Sequence, residues 1–391
     1  MRPSHPFLPS NHLRILVDGE RFLPAMLEAI DGARYYVLLE TYLCESGQVS
    51  DRFIHSLSEA ARRGVRVCML LDDFGSLRLS SYDRQRLLGV GVNLLFYNPL
   101  RLGPLHRNLH RDHRKLLVTD GLKAFIGGAG LTDDFDPLAR PQSWWHDLML
   151  SVKGPCIDDL QASFARIWRL GGGDEGALPR LQPATPTEPG GAARLLVHEP
   201  GRREFIEELI ARIRHARQRV LISVAYFVPP RVLAAALRGA ARRGVEVRLL
   251  LPGRNTDHES VRYASRQHYG RLLRAGVHIH EYIPRFTHTK LMICDDWISV
   301  GSANLDHWTL RWNLEANLDI RDPGCTDAAL DVFRADLAQA EEIILREWRK
   351  RSRWERLGEW FWGEISAWLA RRSYRQGLRN PKRHPLASKR S

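Results

Sequence analysis

The sequence predicts an α/β protein built twice, one copy after the other. Segments of the first half reappear in the second at a spacing of about 180 residues. Inside each copy, apolar runs of strand length alternate with helical patterns that close on glycine. Between the copies lies a stretch rich in Gly, Pro and Thr.

Taken in order, "RYYVLLETY" and "RVLISVAYF" supply a strand in each copy. "AARRGVRVCMLLDDFG" (Ala60 to Gly75) then matches "AARRGVEVRLLLPGRN" (Ala240 to Asn255): a helix end, a glycine cap and a second strand. "LLGVGVNLLFYNP" matches "LLRAGVHIHEYIP" in the same way, and "HRDHRKLLVTDGLKAFIGGAGLTDDF" matches "FTHTKLMICDDWISVGSANLDHW". The stretch from Gly171 to Ala192, "GGGDEGALPRLQPATPTEPGGA", reads as a surface linker. These boundaries predict one domain at 10–172, a linker at 173–191, a second domain at 192–345 and a distinct tail at 346–391.

The net charge is +13, which favours an anionic partner: nucleic acid, a phosphorylated substrate or an acidic membrane. The tail carries 14 Lys/Arg against 4 Glu, leaving the body nearly neutral and unlike a basic nucleic-acid surface. In the tail, Trp354, Leu357, Phe361, Ile365 and Trp368 follow helical spacing, and Trp360, Trp362 and Leu369 widen the apolar face. Such a helix either packs on the body or lies in an anionic membrane; its tryptophans and basic flanks favour the membrane. Five scattered cysteines (44, 68, 156, 294, 325) lack metal-ligand spacing and read as buried reduced thiols. The N-terminus has no secretory signal core, and no run approaches the ~18 apolar residues of a spanning helix. A soluble or peripheral protein is expected.

The chemistry lies in a motif that occurs twice. His113, Lys115 and Asp120 are spaced as His288, Lys290 and Asp295 are. Each His-x-Lys is read as lying on a strand, where residues two apart share a face, so each His and Lys can address one ligand. An imidazole beside an ammonium suits a phosphate: lysine neutralises oxygens, and histidine attacks phosphorus or moves a proton. Asp120 and Asp295 have the wrong parity for that face and sit at turn signals, so they are read as structural or supporting groups. Beyond each turn, "IGGAG" (Ile126 to Gly130) and "VGSAN" (Val300 to Asn304) supply small residues that let backbone and the Asn304 amide approach a phosphate. Asp147 and Glu315 are candidate carboxylate partners that would fix a histidine tautomer. One His-x-Lys carries little information; two, at matched positions of a repeat, carry much more.

This doubled His-x-Lys-x4-Asp pattern resembles the phospholipase D superfamily from about residue 10 to residue 345. The resemblance implies two phospholipase D-like α/β sandwich domains, related by a pseudo-twofold axis and sharing one active site at their interface. It implies that one histidine forms a covalent phospho-histidine, while the other protonates the leaving alcohol and then activates the incoming one, with no metal and no cofactor. By family precedent His113 is the nucleophile and His288 the acid/base; the residues alone leave the two interchangeable. His113, Lys115, His288 and Lys290 match the family core, Asn304 its phosphate-contacting Asn, and Asp147 and Glu315 the carboxylates that orient the histidines. Gly130 stands where a second Asn is usual, so an asymmetric phosphate cradle is expected.

Neighbouring stretches, among them "LLETYLCESGQVSDRFIHSLSEAARRGVRVCMLLDDFGS", "NPLRLGPLHRNLHRDHRKLLVTDG" and "SANLDHWTLRWNLEANL", look like bacterial cardiolipin synthases of the shorter, span-free B type. That family joins two phosphatidylglycerols with release of glycerol. The implied partners are phosphatidylglycerol and an anionic membrane surface, on the cytoplasmic side of a bacterial cell membrane. Nucleic acid is not expected, and the sequence does not address oligomeric state. A phospholipase D that hydrolyses lipid to phosphatidic acid shares every catalytic residue. A nuclease or other phosphodiesterase of the superfamily is opposed by the near-neutral body and the apolar tail.

Overall fold

Residues 5–101, 108–352 and 361–362 are described by a computed structural model. The first half contributes strands β1 (Leu8–Val17), β2 (Tyr36–Thr41), β3 (Arg66–Asp72), β4 (Asn93–Tyr97), β5 (Arg111–Asp112), β6 (Leu116–Thr119), β7 (Lys123–Gly127) and β8 (Leu148–Lys153). The second contributes β9 (Gly191–His198), β10 (Arg219–Val224), β11 (Glu246–Pro252), β12 (His278–Tyr282), β13 (Lys290–Cys294), β14 (Trp297–Gly301), β15 (Asn313–Arg321) and β16 (Ala340–Glu342). The first half runs β1-β8-β7-β6-β2-β3-β4, and the second repeats it as β9-β15-β14-β13-β10-β11-β12, with β16 added at the edge. β1 pairs with β9, so the two sheets join at their equivalent strands, as a twofold relation requires.

Strands β2, β3, β10 and β11 are buried along most of their length, which explains why they read as continuous apolar runs rather than alternating ones. Helices cover both faces. On the outer face of the first sheet lie α1 (Gly19–Asp31), α2 (Gln48–Arg62) and α3 (Ser81–Gly89). α2 buries Val49, Phe53, Ile54, Leu57 and Ala60, a helical stripe. α4 (Cys156–Leu170) follows β8. On the outer face of the second sheet lie α5 (Glu204–His215), α6 (Arg231–Arg242) and α7 (Glu259–Leu273); α6 buries Leu233, Ala236, Leu237 and Ala240. Gly64 and Gly244 follow α2 and α6 at φ 87°, a left-handed position that a side chain would strain, so glycine is what turns each helix into the next strand.

The inner faces of both sheets share one core. It takes in Leu116 and Val118 with Leu291 and Ile293, and it is closed by α4 and by α9 (Pro323–Leu337), which follows the one-turn α8 (Thr309–Trp312). α4 packs against β9 as well as its own sheet, and α9 packs against β1, so each helix fastens the two halves together. The connecting stretch lies along the first half, pinned where Tyr36 Oη accepts from Gln182 N (3.0 Å) and Arg66 Nη1 donates to Gly176 O (2.7 Å). The chain then ends its described course with α10 (Leu345–Lys350), whose Trp348 packs on Tyr269 of α7. The predicted amphipathic helix of the tail lies outside the described residues, apart from Phe361 and Trp362, which are exposed. Among the described residues no helix is long and apolar enough to cross a membrane.

Asp120 and Asp295 occupy the two β-turns after the His-x-Lys strands, at φ 55° and 53°. Each carboxylate collects three backbone amides where the next sheet strand begins. Asp120 accepts from Arg34, Tyr35 and Tyr36 at 2.8 Å each, and Asp295 from Arg217, Gln218 and Arg219 at 2.8–2.9 Å. Burial alone would raise the Asp295 pKa, but these donors outweigh it and hold the carboxyl below the usual range. Asp295→Ala is therefore expected to cost about 2–3 kcal/mol in a urea unfolding titration. Because the folded pKa is depressed, that contribution is present above the unfolded value and is lost only as pH falls through the folded one. A change below about 0.5 kcal/mol would mean that the carboxylate does not hold the strand start.

Candidate active site

The junction of the halves brings His113 and His288 to one cavity of about 770 Å³. Neither histidine lies within a sheet strand; β6 begins at Leu116 and β13 at Lys290. The reason is that both His–x–Lys segments pair with the other half before they reach their own sheet. β5 runs parallel to the start of β15, and the His113 amide donates to Leu314 O at 3.0 Å. Thr287 bridges to His146, and the His288 amide donates to His146 O at 2.7 Å. Leu314 and His146 are the residues immediately before Glu315 and Asp147.

That pairing delivers the carboxylates crosswise. Glu315, of the second half, lies 3.1 Å from Nδ1 of His113, of the first. Asp147, of the first half, lies 2.7 Å from Nδ1 of His288, of the second. The surroundings of the two carboxylates differ. Glu315 also accepts from Ser302 Oγ and from Asn313 Nδ2 (3.2 Å). Asp147 takes its own neighbour's amide, Leu148 N (2.7 Å), and lies against Gly128, where a Cβ would come within 2.4 Å of Oδ2. The shorter carboxylate thus needs glycine where the longer one has serine.

His113, Lys115, His288 and Asn304 line the cavity. Lys290 stands behind His288, its Nζ 2.9 Å from Nδ1. Lys115 Nζ donates to His113 O (2.6 Å) and lies 5.2 Å from the Tyr42 ring centre. The Tyr42 ring itself is 4.8 Å from that of His113. Asn304 Oδ1 accepts from Tyr226 N (3.3 Å), and its amide nitrogen has no partner among the described residues. Gly130, the first-half counterpart, could not carry an Asn as the chain stands: a Cβ there would lie 2.7 Å from Leu43 O. Trp145, Phe135 and Phe286 pack within 6 Å of the His288 ring and exclude water from that side. Asp120 and Asp295 take no part in this group; their bonds go to the strand starts.

Burial dominates the charges. It pushes the lysines down, Lys115 to about 7 and Lys290 to about 8, against the pull of the nearby carboxylates. It lowers His113, a fall that Lys115 adds to and Glu315 opposes. It lowers His288 well below the ordinary imidazole value, with Lys290, Lys115 and His113 adding to the fall. Burial raises Asp147 to about 7, against Lys290 and the Leu148 amide. Burial thus favours the neutral form of both imidazoles, and the Asp147 carboxyl beside His288 keeps its proton up to about 7.

One residue of this region carried no signal in the sequence. His146 is buried between Asp18 of the first half (Nδ1 to Oδ1, 2.7 Å) and Asp336 at the end of α9 (Nε2 to Oδ2, 3.1 Å), and its ring stacks on Tyr282. Its repeat counterpart is Leu314, so comparing the copies hides it. Burial would lower its pKa, but the two carboxylates lift it to about 10. A raised folded pKa gives stability that is complete below the unfolded histidine value of about 6.5 and is lost as pH rises towards 10. Stability should decline across that window. His146→Phe, which strands the buried Asp336 carboxylate and the half-buried Asp18, should lose about 3 kcal/mol together with this slope; denaturant unfolding at a series of pH values measures both. A slope retained in the variant would place its origin elsewhere.

Comparison with known proteins agrees with the doubled domain. A family model described as the cardiolipin synthase, PLD-like domain matches residues 26–168 and again 209–337. The cardiolipin synthase of Geobacillus thermodenitrificans is 31% identical over 353 residues, which cover 89% of this chain and 70% of that protein. Cardiolipin synthase A of Pseudomonas entomophila is 34% identical over 358 residues, 90% of this chain and 74% of that one. The fold matches the crystal structure of phosphatidylserine synthase from Haemophilus influenzae with a TM-score of 0.68, at 13% identity, over 96% of this chain and 97% of that chain. With the family match falling once on each copy of the repeat, and relatives aligned along nearly the whole chain, the protein belongs to the phospholipase D-like cardiolipin synthase family of phosphatidyltransferases.

Proposed function

We propose that the protein makes cardiolipin from two phosphatidylglycerols, releasing glycerol, by way of a phospho-histidine on His113. The observation that carries this reading is geometric: two histidines line one cavity, each held at Nδ1 by a carboxylate from the other half. His113, with Nδ1 committed to Glu315, has its Nε2 lone pair free to attack phosphorus. As the N–P bond forms, the bond from phosphorus to the headgroup oxygen breaks. The Asp147–His288 pair gives its proton to that oxygen, and glycerol leaves. A headgroup hydroxyl of the second phosphatidylglycerol then surrenders its proton to His288 and attacks the same phosphorus. The N–P bond breaks, and both histidines return to their starting state.

Lys115 and the Asn304 amide are suited to the non-bridging oxygens, and Lys290 adds charge from behind His288. The lysines are buried at the expense of their own ionisation, so the diester's negative charge is what restores them to full ammonium character. The aromatic wall of Trp145, Phe135 and Phe286 favours transfer over hydrolysis by keeping water from the intermediate. On this reading the protein works peripherally at the cytoplasmic face of the membrane, with residues 346–391 as its attachment.

Labelled phosphatidylglycerol in mixed micelles, with the lipid products separated, tests the proposal. Cardiolipin plus glycerol is the expected outcome. Phosphatidic acid as the sole product would replace transfer by hydrolysis, and nicked DNA without lipid turnover would support a nuclease. His113→Ala and His288→Ala should each lower turnover at least about 10³-fold; near-wild-type turnover in either would contradict a shared site.

A further inference from the structure

The two His-x-Lys segments are backed by different chemistry, and the difference breaks the repeat position for position. Four charged side chains support the segment of His113, all of them buried: Glu40 on β2, Asp72 at the end of β3, and Asp112 and Arg114 on either side of the histidine. Counted along the matched strands and from the two histidines, their counterparts are Ser223, Pro252, Thr287 and Thr289. None of these is charged. The three hydroxyls satisfy one another, Thr289 sharing hydrogen bonds with Ser223 and with Thr287 (3.0 Å).

The charged set grips the backbone on both sides of His113. Asp112 N donates to Asp72 Oδ2 (2.8 Å), while Asp72 Oδ1 accepts from Phe74 N (3.0 Å) and Gly75 N (3.1 Å). Arg114 N donates to Asp112 Oδ1 (3.3 Å). The Arg114 guanidinium closes the set: it donates to both oxygens of Glu40 (2.7 and 2.6 Å) and to Ser163 Oγ of α4 (2.8 Å). A planar fork on a carboxylate fixes direction as well as distance. Burial works against the Arg114 charge, but Glu40 and Asp112 outweigh it. A buried ion pair gains little stability over well-packed neutral groups, and the second half accepts uncharged residues at all four matched positions. Holding the fold together therefore does not by itself call for charge beside His113.

We propose that Glu40 and Arg114, backed by Asp112 and Asp72, are positioning residues for His113: they lock the segment that carries it, so that Nε2 stays aimed at phosphorus while the N–P bond forms and breaks. None of the four lines the cavity, so they act through the histidine and not on the lipid. The proposal rests on the phosphatidyl-transfer reading for the role of His113. The hydroxyl set beside His288 supplies no equivalent fork.

Single-turnover release of glycerol from phosphatidylglycerol in mixed micelles, with the full chain in excess, tests the lock. In Arg114→Met and in Glu40→Gln the limiting rate should fall about 10²-fold, while the concentration for half-saturation moves less than about threefold. Each change strands a buried charge and should also lower the urea midpoint; the double variant removes both charges and should regain most of it. A limiting rate that stays low in the restabilised double variant upholds positioning, and a rate that returns with the midpoint overturns it. Arg114→Lys keeps the charge without the fork and should recover only part of the rate; a full rate there would also overturn the proposal. Thr289→Val, at the matched position, should keep a rate close to wild type, and a loss as large as that of Arg114→Met would remove the asymmetry. Glycerol leaves in the first step whether lipid or water is the later acceptor, so hydrolysis in place of transfer would leave this comparison intact.

Discussion

The site depends on an exchange between the halves: each histidine takes its orienting carboxylate from the other copy of the repeat. The backbone enforces it, because the amides of His113 and His288 are held by the carbonyls of the residues just before Glu315 and Asp147. A half alone would hold a histidine with no carboxylate on Nδ1 and a carboxylate with no histidine. The continuous sheet through β1 and β9, the core common to both inner faces, and the crosswise packing of α4 and α9 keep that exchange in register. His146 adds a charged fastening beside it, gripping Asp18 and Asp336 across the same boundary.

Dry surroundings then set the chemistry. Two lysines, two histidines and two carboxylates are buried together, a group that is costly to desolvate. Burial depresses the lysines towards neutrality and raises the Asp147 carboxyl to about 7, so an anion bound beside the lysines would restore their charge. The repeat is chemically unequal. Serine beside Glu315 and glycine beside Asp147 give the two carboxylates different surroundings, and asparagine at 304 corresponds to glycine at 130. A symmetric fold thereby holds two unlike surroundings, a distinction that the matching motifs do not express.

Much of this was legible in the sequence because it is local. The helix–glycine–strand pattern and the short spacing of each His-x-Lys fix themselves within a few residues. Parity and turn position were enough to take Asp120 and Asp295 away from the reacting face, and their bonds to backbone amides give the physical reason. What was not legible is what depends on distance. His113 and Glu315 are 202 positions apart, and His288 and Asp147 are 141 apart, so both carboxylates could be named but not assigned to a histidine. His146 gave no signal, because its counterpart in the repeat is a leucine. The expectation that each His-x-Lys lies within a strand also needed correction: the histidines precede their strands, since their amides are spent on the other half.

The account stands on the division of labour between the two histidines. Rapid acid-free quenching during turnover of phosphatidylglycerol labelled at phosphorus, followed by peptide mapping, reads that division directly. The account predicts an alkali-stable, acid-labile label on His113, absent from His113→Ala. Label on His288 in the wild-type protein, or full turnover with no labelled histidine at any quench time, would contradict it.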